Sequence, residues 1–419
     1  MCHGGSPQAR AGPFAGQAAA GQRRQRGAQT AASLRQPPEV GAVFEERRIA
    51  LAEAMAERGG WPADSPWVRA AVDAVPRHSF APDTLWRWDG DAYVAVSRAT
   101  EPERWAAEVY GGPGDPAVTQ VGDGRATSSL SCQSVVVDML DALMAEPGHR
   151  VLELGTGTGW NAALLARRAG PGRVTSVEAD PGLAATARTR LEAAGADVTV
   201  VTGDGRLGHA PGGPYDRVES TYAVETVPWE WVAQTRPGGR IVTPWGRMGH
   251  VALTVAADGL SATGWVQGLA LFMPARGAPA RAGWQEVRGH DPAEDEGAHT
   301  LDLTRLSDPH LLFALRVLLP DVEIVLGDRD GPVAWAHDGR SSWATLTASV
   351  SGPGAAFQGG PRRLLEEIGT AVARWEHHDR PDLYDFGMTR TPDSQYVWSH
   401  DRDTGPRWST VTGLVQPVG

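Results

Sequence analysis

The amino-acid sequence predicts an α/β fold built on a doubly wound, mostly parallel sheet. Strands and helices alternate between residues 148 and 260, the apolar runs there have strand length, and a glycine-rich turn separates the first strand from the first helix. Strand–helix–strand units at this spacing pair parallel strands and cover both faces with helices. Ligands of such sheets bind beyond the carboxyl ends of the strands.

The predicted core contains short strands that alternate with amphipathic helices. The first helix follows the glycine turn, and the second begins with a proline in its first turn, where no main-chain N–H is needed. The strands are expected at residues 150–154, 174–178, 198–201, 215–220 and 240–244, and the helices at 161–168 and 181–194.

The region before this core divides into a tail and a helical part. Residues 1–40 are rich in Gly, Ala, Gln, Arg and Pro and predict a disordered tail. A helix is expected over residues 44–58, and Ser65-Pro66 supplies an N-cap and a first-turn proline for a second helix. We therefore assign residues 41–120 to an N-terminal helical, substrate-side region.

The core domain is assigned to residues 121–270, and a separate C-terminal α+β domain to residues 271–419. Within the latter, residues 274–297 are polar and typical of a loop, and residues 364–377 predict one amphipathic helix. Short strands are expected at 322–326, at 343–350 and within 396–415.

Composition excludes several classes of protein. The 419 residues carry 50 acidic and 39 basic side chains, and a net charge of -11 argues against a nucleic-acid partner. Two cysteines, Cys2 and Cys132, are too few for a disulfide framework and indicate a reducing compartment. No apolar run approaches the roughly 20 residues needed to cross a bilayer. We expect a cytoplasmic protein without a nucleic-acid or membrane partner.

The strongest motif is the turn Glu153-Leu154-Gly155-Thr156-Gly157-Thr158-Gly159 at the end of the first core strand. Glycines allow the main chain to approach a ligand that a Cβ atom would block. The spacing is G-x-G-x-G, whereas dinucleotide-binding enzymes use G-x-G-x-x-G to hold a pyrophosphate. A carboxylate at Glu153 suits a cationic amino-acid ligand better than a pyrophosphate. An NAD-dependent enzyme is the main competing hypothesis.

Two more acids follow the next strands. Glu178 ends the second strand and can accept hydrogen bonds from ribose hydroxyls, and Asp204, between Gly203 and Gly205, can accept one from an adenine amino group. A glycine turn alone is also typical of ordinary strand–helix connections, but the three elements in order predict S-adenosylmethionine as the cofactor. The expected cofactor-binding residues are Glu153, Gly155, Thr156, Gly157, Gly159, Glu178, Asp204 and Gly205.

With this motif, residues 75–82 (VPRHSFAP) and 129–133 (SLSCQ), the chain resembles the protein-L-isoaspartate O-methyltransferase family over about residues 45–250. The resemblance implies a Rossmann-like class I methyltransferase fold and places Ser131 on the catalytic serine of the family. The chain departs from the T-I-S-Q-P pattern at Cys132 and Gln133, and neighbouring serines leave the assignment open by one or two positions. Ser129 and Tyr222 are expected to contact the acceptor.

Residues 86–91, 220–224 and 243–246 resemble longer actinobacterial members associated with graspetide or lanthipeptide gene clusters. That resemblance implies methylation of a peptide aspartate, followed by attack of a backbone amide to give an aspartimide. We expect such a peptide-tailoring enzyme, a monomer without a metal site, whose partner is a peptide or protein carrying Asp or isoAsp. The alternatives are an isoaspartate repair enzyme and, from another class, a non-catalytic peptide-binding module.

Overall fold

The computed structural model describes residues 40–410, except 247, 279–280, 291, 329–330 and 350–351. All but the last residue of the predicted tail 1–40 lies outside the described residues. The chain divides into two compact units, Met1–Trp61 with Pro76–Ser134, and Pro62–Val75 with Val135–Gly419. The domain boundaries expected at residues 120 and 270 stay predictions.

The helices and strands of the described residues are numbered here in chain order. The helices are α1 (Val40–Glu57), α2 (Pro66–Ala74), α3 (Pro102–Val109), α4 (Gln133–Leu143), α5 (Trp160–Ala169), α6 (Pro181–Ala193), α7 (Trp229–Ala233), α8 (Trp284–Arg288), α9 (Pro309–Leu318) and α10 (Leu364–His377). The strands are β1 (Thr84–Trp88), β2 (Tyr93–Ser97), β3 (Ala117–Gly122), β4 (Arg125–Leu130), β5 (Val151–Leu154), β6 (Val174–Glu178), β7 (Val198–Thr202), β8 (Tyr215–Ser220), β9 (Thr235–Trp245), β10 (Gly249–Val255), β11 (Ala262–Leu269), β12 (Asp295–His299), β13 (Glu323–Asp328), β14 (Pro332–His337), β15 (Trp343–Thr347), β16 (Gly354–Gly359), β17 (Phe386–Arg390), β18 (Gln395–Ser399) and β19 (Arg407–Ser409).

The first unit contains an antiparallel sheet of four strands in the order β2-β1-β3-β4, beside helices α1 and α3. The β1–β2 turn is fixed by Asp89, whose carboxylate accepts the main-chain N–H groups of Asp91 and Ala92 at 2.9 Å. Leu85, Val96 and Trp105 are fully buried and form part of its core. Only helices were predicted for residues 41–120, so this sheet was not anticipated from the sequence.

The second unit is built on a ten-stranded sheet in the order β19-β18-β17-β11-β10-β9-β8-β5-β6-β7. Strands β5 to β9 pair in parallel, in the order β7-β6-β5-β8-β9, and the other five are antiparallel. The α/β fold class is thereby confirmed. The direction in which successive strands are added reverses between β5 and β8, which is the position where open α/β sheets bind ligands.

The C-terminal part of the chain contributes to two sheets. Strands β17, β18 and β19 extend the ten-stranded sheet through the pairing of β17 with β11. Strands β12 to β16 form a separate antiparallel sheet in the order β12-β16-β15-β14-β13. The expected helix over 364–377 coincides with α10, while the segment 274–297 contains the short helix α8 and the start of β12. Among the described residues, no helix has the length and apolarity required to cross a membrane.

Candidate cofactor and acceptor sites

Loops from four parallel strands meet at the carboxyl edge of the sheet. The main-chain N–H of Gly157, after β5, donates to the Glu178 carboxylate at the end of β6 at 2.8 Å. The Thr221 hydroxyl, after β8, donates to the carbonyl oxygen of Gly155 at 2.5 Å. The indole of Trp231 in α7 donates to the carbonyl of Gly205, after β7, at 2.9 Å. The elements predicted from the sequence to form one site are therefore joined at one edge.

The glycine turn needs glycine for conformation and for space. Gly155, Gly157 and Gly159 have φ of +98°, +54° and +93°, which side chains of L-residues rarely adopt. A Cβ atom on Gly155 would also lie 2.5 Å from the Thr221 hydroxyl oxygen. Within the turn Gly155 and Gly157 are half-buried, whereas Gly159 at the start of α5 is buried against Leu191.

Tyr222 connects the glycine turn to the loop after β7. A Cβ atom on Gly155 would meet its ring at 3.0 Å, and one on Gly205 would meet its hydroxyl at 2.6 Å. That hydroxyl oxygen is buried and has no hydrogen-bond partner in the described part of the chain. Burial, with the charges of Asp204 and Glu178, raises its pKa, so it stays protonated and able to donate. An unsatisfied donor between the two loops fits a polar cofactor there.

The carboxylates of Glu178 and Asp204 have different hydrogen-bond partners. Glu178 is 5% exposed and accepts the main-chain N–H groups of Gly157 and Asp180, at 2.8 and 3.0 Å. A carboxylate has about four acceptor positions, so two stay available for hydroxyl groups. Asp204 caps the short turn after β7 and forms a paired hydrogen bond with the Arg206 guanidinium at 2.8 to 3.1 Å. This bond lowers the pKa of Asp204 and orients its carboxylate.

Glu153 lies beneath the glycine turn and is fully buried. Its carboxylate accepts the Ser176 hydroxyl and, at 2.9 Å, the side-chain amide of Asn161. The same amide donates to Glu219 at 2.8 Å, and Thr156 bonds to Ser176 at 2.6 Å. Of the predicted residues, Glu153 and Thr156 therefore place their side chains in a hydrogen-bonded layer beneath the main chain of the turn.

Asn161, Ser176 and Glu219 were missed by the sequence analysis. Glu219 is one of three charged residues in β8 and carried no distinctive local signal. Its partners become visible only when β5, β6 and β8 are aligned. Burial raises the pKa of Glu153 to about 8 and that of Glu219 to about 7. At neutral pH the pair therefore retains part of its protons.

The predicted acceptor residue Ser131 follows β4 in the first unit and is half-buried. Its main-chain carbonyl accepts a 2.6 Å hydrogen bond from Arg77, which also donates to the carbonyls of Leu130 at 3.2 Å and Val109 at 2.9 Å. Arg77 is 2% exposed, and burial lowers its pKa to about 10, so it remains a cation at neutral pH. The guanidinium fixes the main chain at Ser131.

The neighbours of Ser131 have other environments. Ser129 is half-buried in β4 and pairs with Val118 in β3. The Cys132 thiol lies 3.8 Å from the Ser134 hydroxyl. His78 bonds to the Tyr110 hydroxyl at 2.7 Å, and burial lowers the pKa of this imidazole. Across the described residues, no group of three or more His, Cys, Asp or Glu side chains has the arrangement of a metal site.

The parallel sheet, the glycine turn and the acids at successive strand ends define an S-adenosylmethionine-dependent methyltransferase of class I. A family model for protein-L-isoaspartate(D-aspartate) O-methyltransferase matches residues 62–259. Protein-L-isoaspartate O-methyltransferase 1 of Archaeoglobus fulgidus is 32% identical over 236 residues, which is 56% of this chain and 95% of the relative. The chain belongs to the protein-L-isoaspartate O-methyltransferase family.

Two further similarities were found. The protein-L-isoaspartate O-methyltransferase of Methanopyrus kandleri is 34% identical over 207 residues, 49% of this chain and 79% of the relative. A solved protein-L-isoaspartate O-methyltransferase aligns with 84% of this chain and 98% of its own, at 19% identity and a TM-score of 0.44. The expected family, methyltransferase activity and cofactor are confirmed, and the roles of individual residues stay predictions.

Proposed function

We propose that this protein transfers the methyl group of S-adenosylmethionine to the free α-carboxylate of an isoaspartyl residue in a protein or peptide. The observation that carries the proposal is the carboxyl edge of the parallel sheet, where the glycine turn bonds to the Glu178 carboxylate and Gly203, in the Asp204 loop, bonds to the Glu178 main-chain carbonyl. The names of the relatives support isoaspartate as the acceptor. The proposed cofactor-binding residues are Glu153, Gly155, Thr156, Gly157, Gly159, Glu178, Asp204 and Gly205.

The chemistry requires positioning more than proton transfer. S-adenosylmethionine supplies an electrophilic methyl group, and an acceptor carboxylate, with an ordinary pKa near 4, is already ionised at neutral pH. It can attack without a general base. The chain then has to orient the two reactants and exclude water, and placement of this kind can lower a barrier by several kcal/mol.

Ser131 is proposed to hold the acceptor carboxylate through its hydroxyl group, with Ser129 as a further contact. Arg77 supports this role because it fixes the Ser131 main chain through the carbonyls on either side of that residue's N–H. A rigid main chain limits the positions that the short serine side chain can take. A hydroxyl held in this way can donate to a carboxylate, a charge-assisted and therefore strong hydrogen bond.

Substitution of Ser131→Ala tests this role. We expect turnover of an isoaspartyl peptide to fall by about 100-fold, as for loss of a hydrogen bond made in the transition state, with unchanged affinity for S-adenosylhomocysteine. Turnover assays and calorimetric titrations measure the two quantities. Ser129→Ala is the matched variant: a larger loss there than at Ser131 would move the acceptor role to Ser129, and equal losses of turnover and affinity would remove it from both.

A second candidate function is the tailoring of a ribosomally made peptide, with the methyl ester closing to an aspartimide. It is favoured by residues 260–419, which lie beyond the family match and form the five-stranded sheet and the strands β17 to β19. An enzyme that repairs many damaged proteins needs little sequence selectivity. A precursor-peptide gene next to a graspetide or lanthipeptide synthetase gene would support this candidate.

Paired peptides that differ only in carrying Asp or isoAsp separate these functions. After incubation with the cofactor, mass spectrometry that finds one added methyl group only on the isoAsp peptide supports repair. Methylation of Asp in a precursor peptide, followed by net loss of one water, supports tailoring. Binding of peptide and S-adenosylhomocysteine without methylation of any of them would instead indicate a non-catalytic binding module.

A further inference from the structure

The layer beneath the glycine turn contains two buried acids joined by one amide. Glu153 in β5 stands opposite Glu219 in β8 and opposite Ser176 in β6 in the parallel register, so the three side chains share one face of the sheet. Asn161, the second residue of α5, lies over this row. Its amide nitrogen donates to Glu153 at 2.9 Å and to Glu219 at 2.8 Å. Glu153 and Glu219 are 0% and 1% exposed.

Two ionised carboxylates would require more hydrogen-bond donors than these two acids have around them. Glu153 receives the Ser176 hydroxyl and the Asn161 amide, and Glu219 receives the same amide. The charges acting on Glu153 come from Glu219 and from Glu178, both of them acids. Burial disfavours the ionised form of both acids, and the like charges add to this at Glu153, so one proton is retained at neutral pH.

The cofactor changes this balance because it carries positive charge. The main chain runs from Glu153 directly into Gly155–Gly159, the turn proposed to hold the methionine part of S-adenosylmethionine with its ammonium and sulfonium groups. Positive charge nearby favours ionised carboxyl groups. We infer that Glu219 acts through Asn161 as a positioning residue for Glu153, and that the two acids share one proton in the free protein and release it to water when the cofactor binds.

The release consists of breaking one carboxyl O–H bond, with the proton passing to solvent and its electron pair staying on the carboxylate. Binding then couples to pH. The affinity for S-adenosylmethionine rises with pH between about pH 6 and 8, by up to about tenfold per unit for one released proton. The inference depends on the cofactor of this family and not on the identity of the acceptor.

Calorimetric titration of S-adenosylmethionine in buffers of different ionisation enthalpy counts the protons released. We expect the wild-type protein to release close to one proton per cofactor bound at pH 7. In Glu219→Gln the new amide becomes a second donor beside Asn161, and the like charge is gone, so Glu153 ionises in the free protein. The release should fall below half a proton, and the affinity should vary less with pH.

A control variant and a spectroscopic measurement accompany this test. Glu192→Gln removes an exposed acid on α6 and should leave proton release unchanged. Infrared spectra of the free protein should show a protonated carboxyl band that weakens when cofactor is added, and this measurement needs no variant. Cofactor binding without proton release in the wild type, or equal release from Glu219→Gln and the wild type, would overturn the inference. If no acceptor peptide were methylated, the inference would still stand, because it concerns cofactor binding alone.

Discussion

The cofactor region and the serine segment bury charge in opposite ways. Beneath the glycine turn, Glu153 and Glu219 share the amide of Asn161. Behind the serine segment, defined as residues 129–133, the cation Arg77 donates to three main-chain carbonyl groups. Each buried group has the sign opposite to the ligand proposed for its region, a cationic cofactor in one and an anionic carboxylate in the other.

The two regions are stabilised by different kinds of contact. The cofactor region depends on glycine conformation and on side chains that bond across parallel strands. The serine segment depends on one guanidinium that satisfies carbonyls from separate parts of the chain. Substitutions should therefore separate cofactor affinity from acceptor turnover.

The largest effect is expected for Arg77→Met. It leaves three carbonyl groups without their buried donor, and each such loss costs about 1–3 kcal/mol, so the free energy of unfolding should fall by about 4 kcal/mol. Turnover should fall with it, while affinity for S-adenosylhomocysteine in the folded fraction stays within about twofold of wild type. Denaturant unfolding and calorimetry measure these quantities. Arg125→Met, on the exposed side of β4, is the control and should change stability by less than about 0.5 kcal/mol.

If Arg77→Met lost as much cofactor affinity as turnover, the two regions would not be functionally separate.

Gly155→Ala is expected to have the next largest effect, now on the cofactor. The new methyl group would meet Thr221 at 2.5 Å, and the residue would keep a φ of +98°. Strain and overpacking together should lower the free energy of unfolding by about 3 kcal/mol and cofactor affinity at least tenfold. Gly148→Ala separates the two causes, because Gly148 has a φ of +86° and open space around it. We expect about 1 kcal/mol there and unchanged affinity; equal effects at both positions would argue against a contact role for Gly155.

The buried acids predict a dependence of stability on pH. The folded-state pKa values of Glu153 and Glu219, about 8 and about 7, lie above the ordinary value of 4.5. Their contribution to stability is therefore fully present below about pH 4.5 and is lost as pH rises to about 8, at up to about 1.4 kcal/mol per pH unit for each proton. Denaturant unfolding between pH 5.5 and 8.5 should show a flatter profile for Glu219→Gln than for wild type. Identical profiles would contradict the shared proton.

The smallest effect is expected for Tyr222→Phe. Its hydroxyl oxygen is buried without a partner in the described residues, so removing it should change the free energy of unfolding by less than about 1 kcal/mol. Cofactor affinity should fall about threefold to tenfold if the hydroxyl donates to the ligand. An unchanged affinity measured by calorimetry would assign Tyr222 to packing against Trp231. The two rings meet edge-on, with their centroids 6.1 Å apart.

The core of the fold could be predicted because its signals are local. The expected strands 174–178 and 215–220 coincide with β6 and β8, since both are short segments that follow glycine or proline and contain β-branched or aromatic residues. β9 is longer than expected, because its Pro237-Gly238-Gly239 segment has the composition of a turn. Strands β1 to β4 were missed although β1 pairs with β2, and β3 with β4, across short connections. Strand propensity depends strongly on packing context and is therefore a weak local signal.

The candidate site could likewise be predicted only where its signals are local. The glycine turn and the acids at strand ends follow from motif spacing. The link between Glu219 and Asn161 spans 58 residues and depends on strand register, and the three bonds of Arg77 span up to 54 residues. Such partnerships depend on tertiary structure and leave little trace in a single sequence.

The pairing of β11 with β17 has a consequence for synthesis of the protein. These strands are separated by more than one hundred residues, which include the whole five-stranded sheet. During translation the outer edge of β11 stays unpaired until the residues of β17 have left the ribosome, and exposed edges of this kind recruit foreign strands. A shortened gene ending near residue 270 would make that exposure permanent, and its product should aggregate even though it contains the complete methyltransferase motifs.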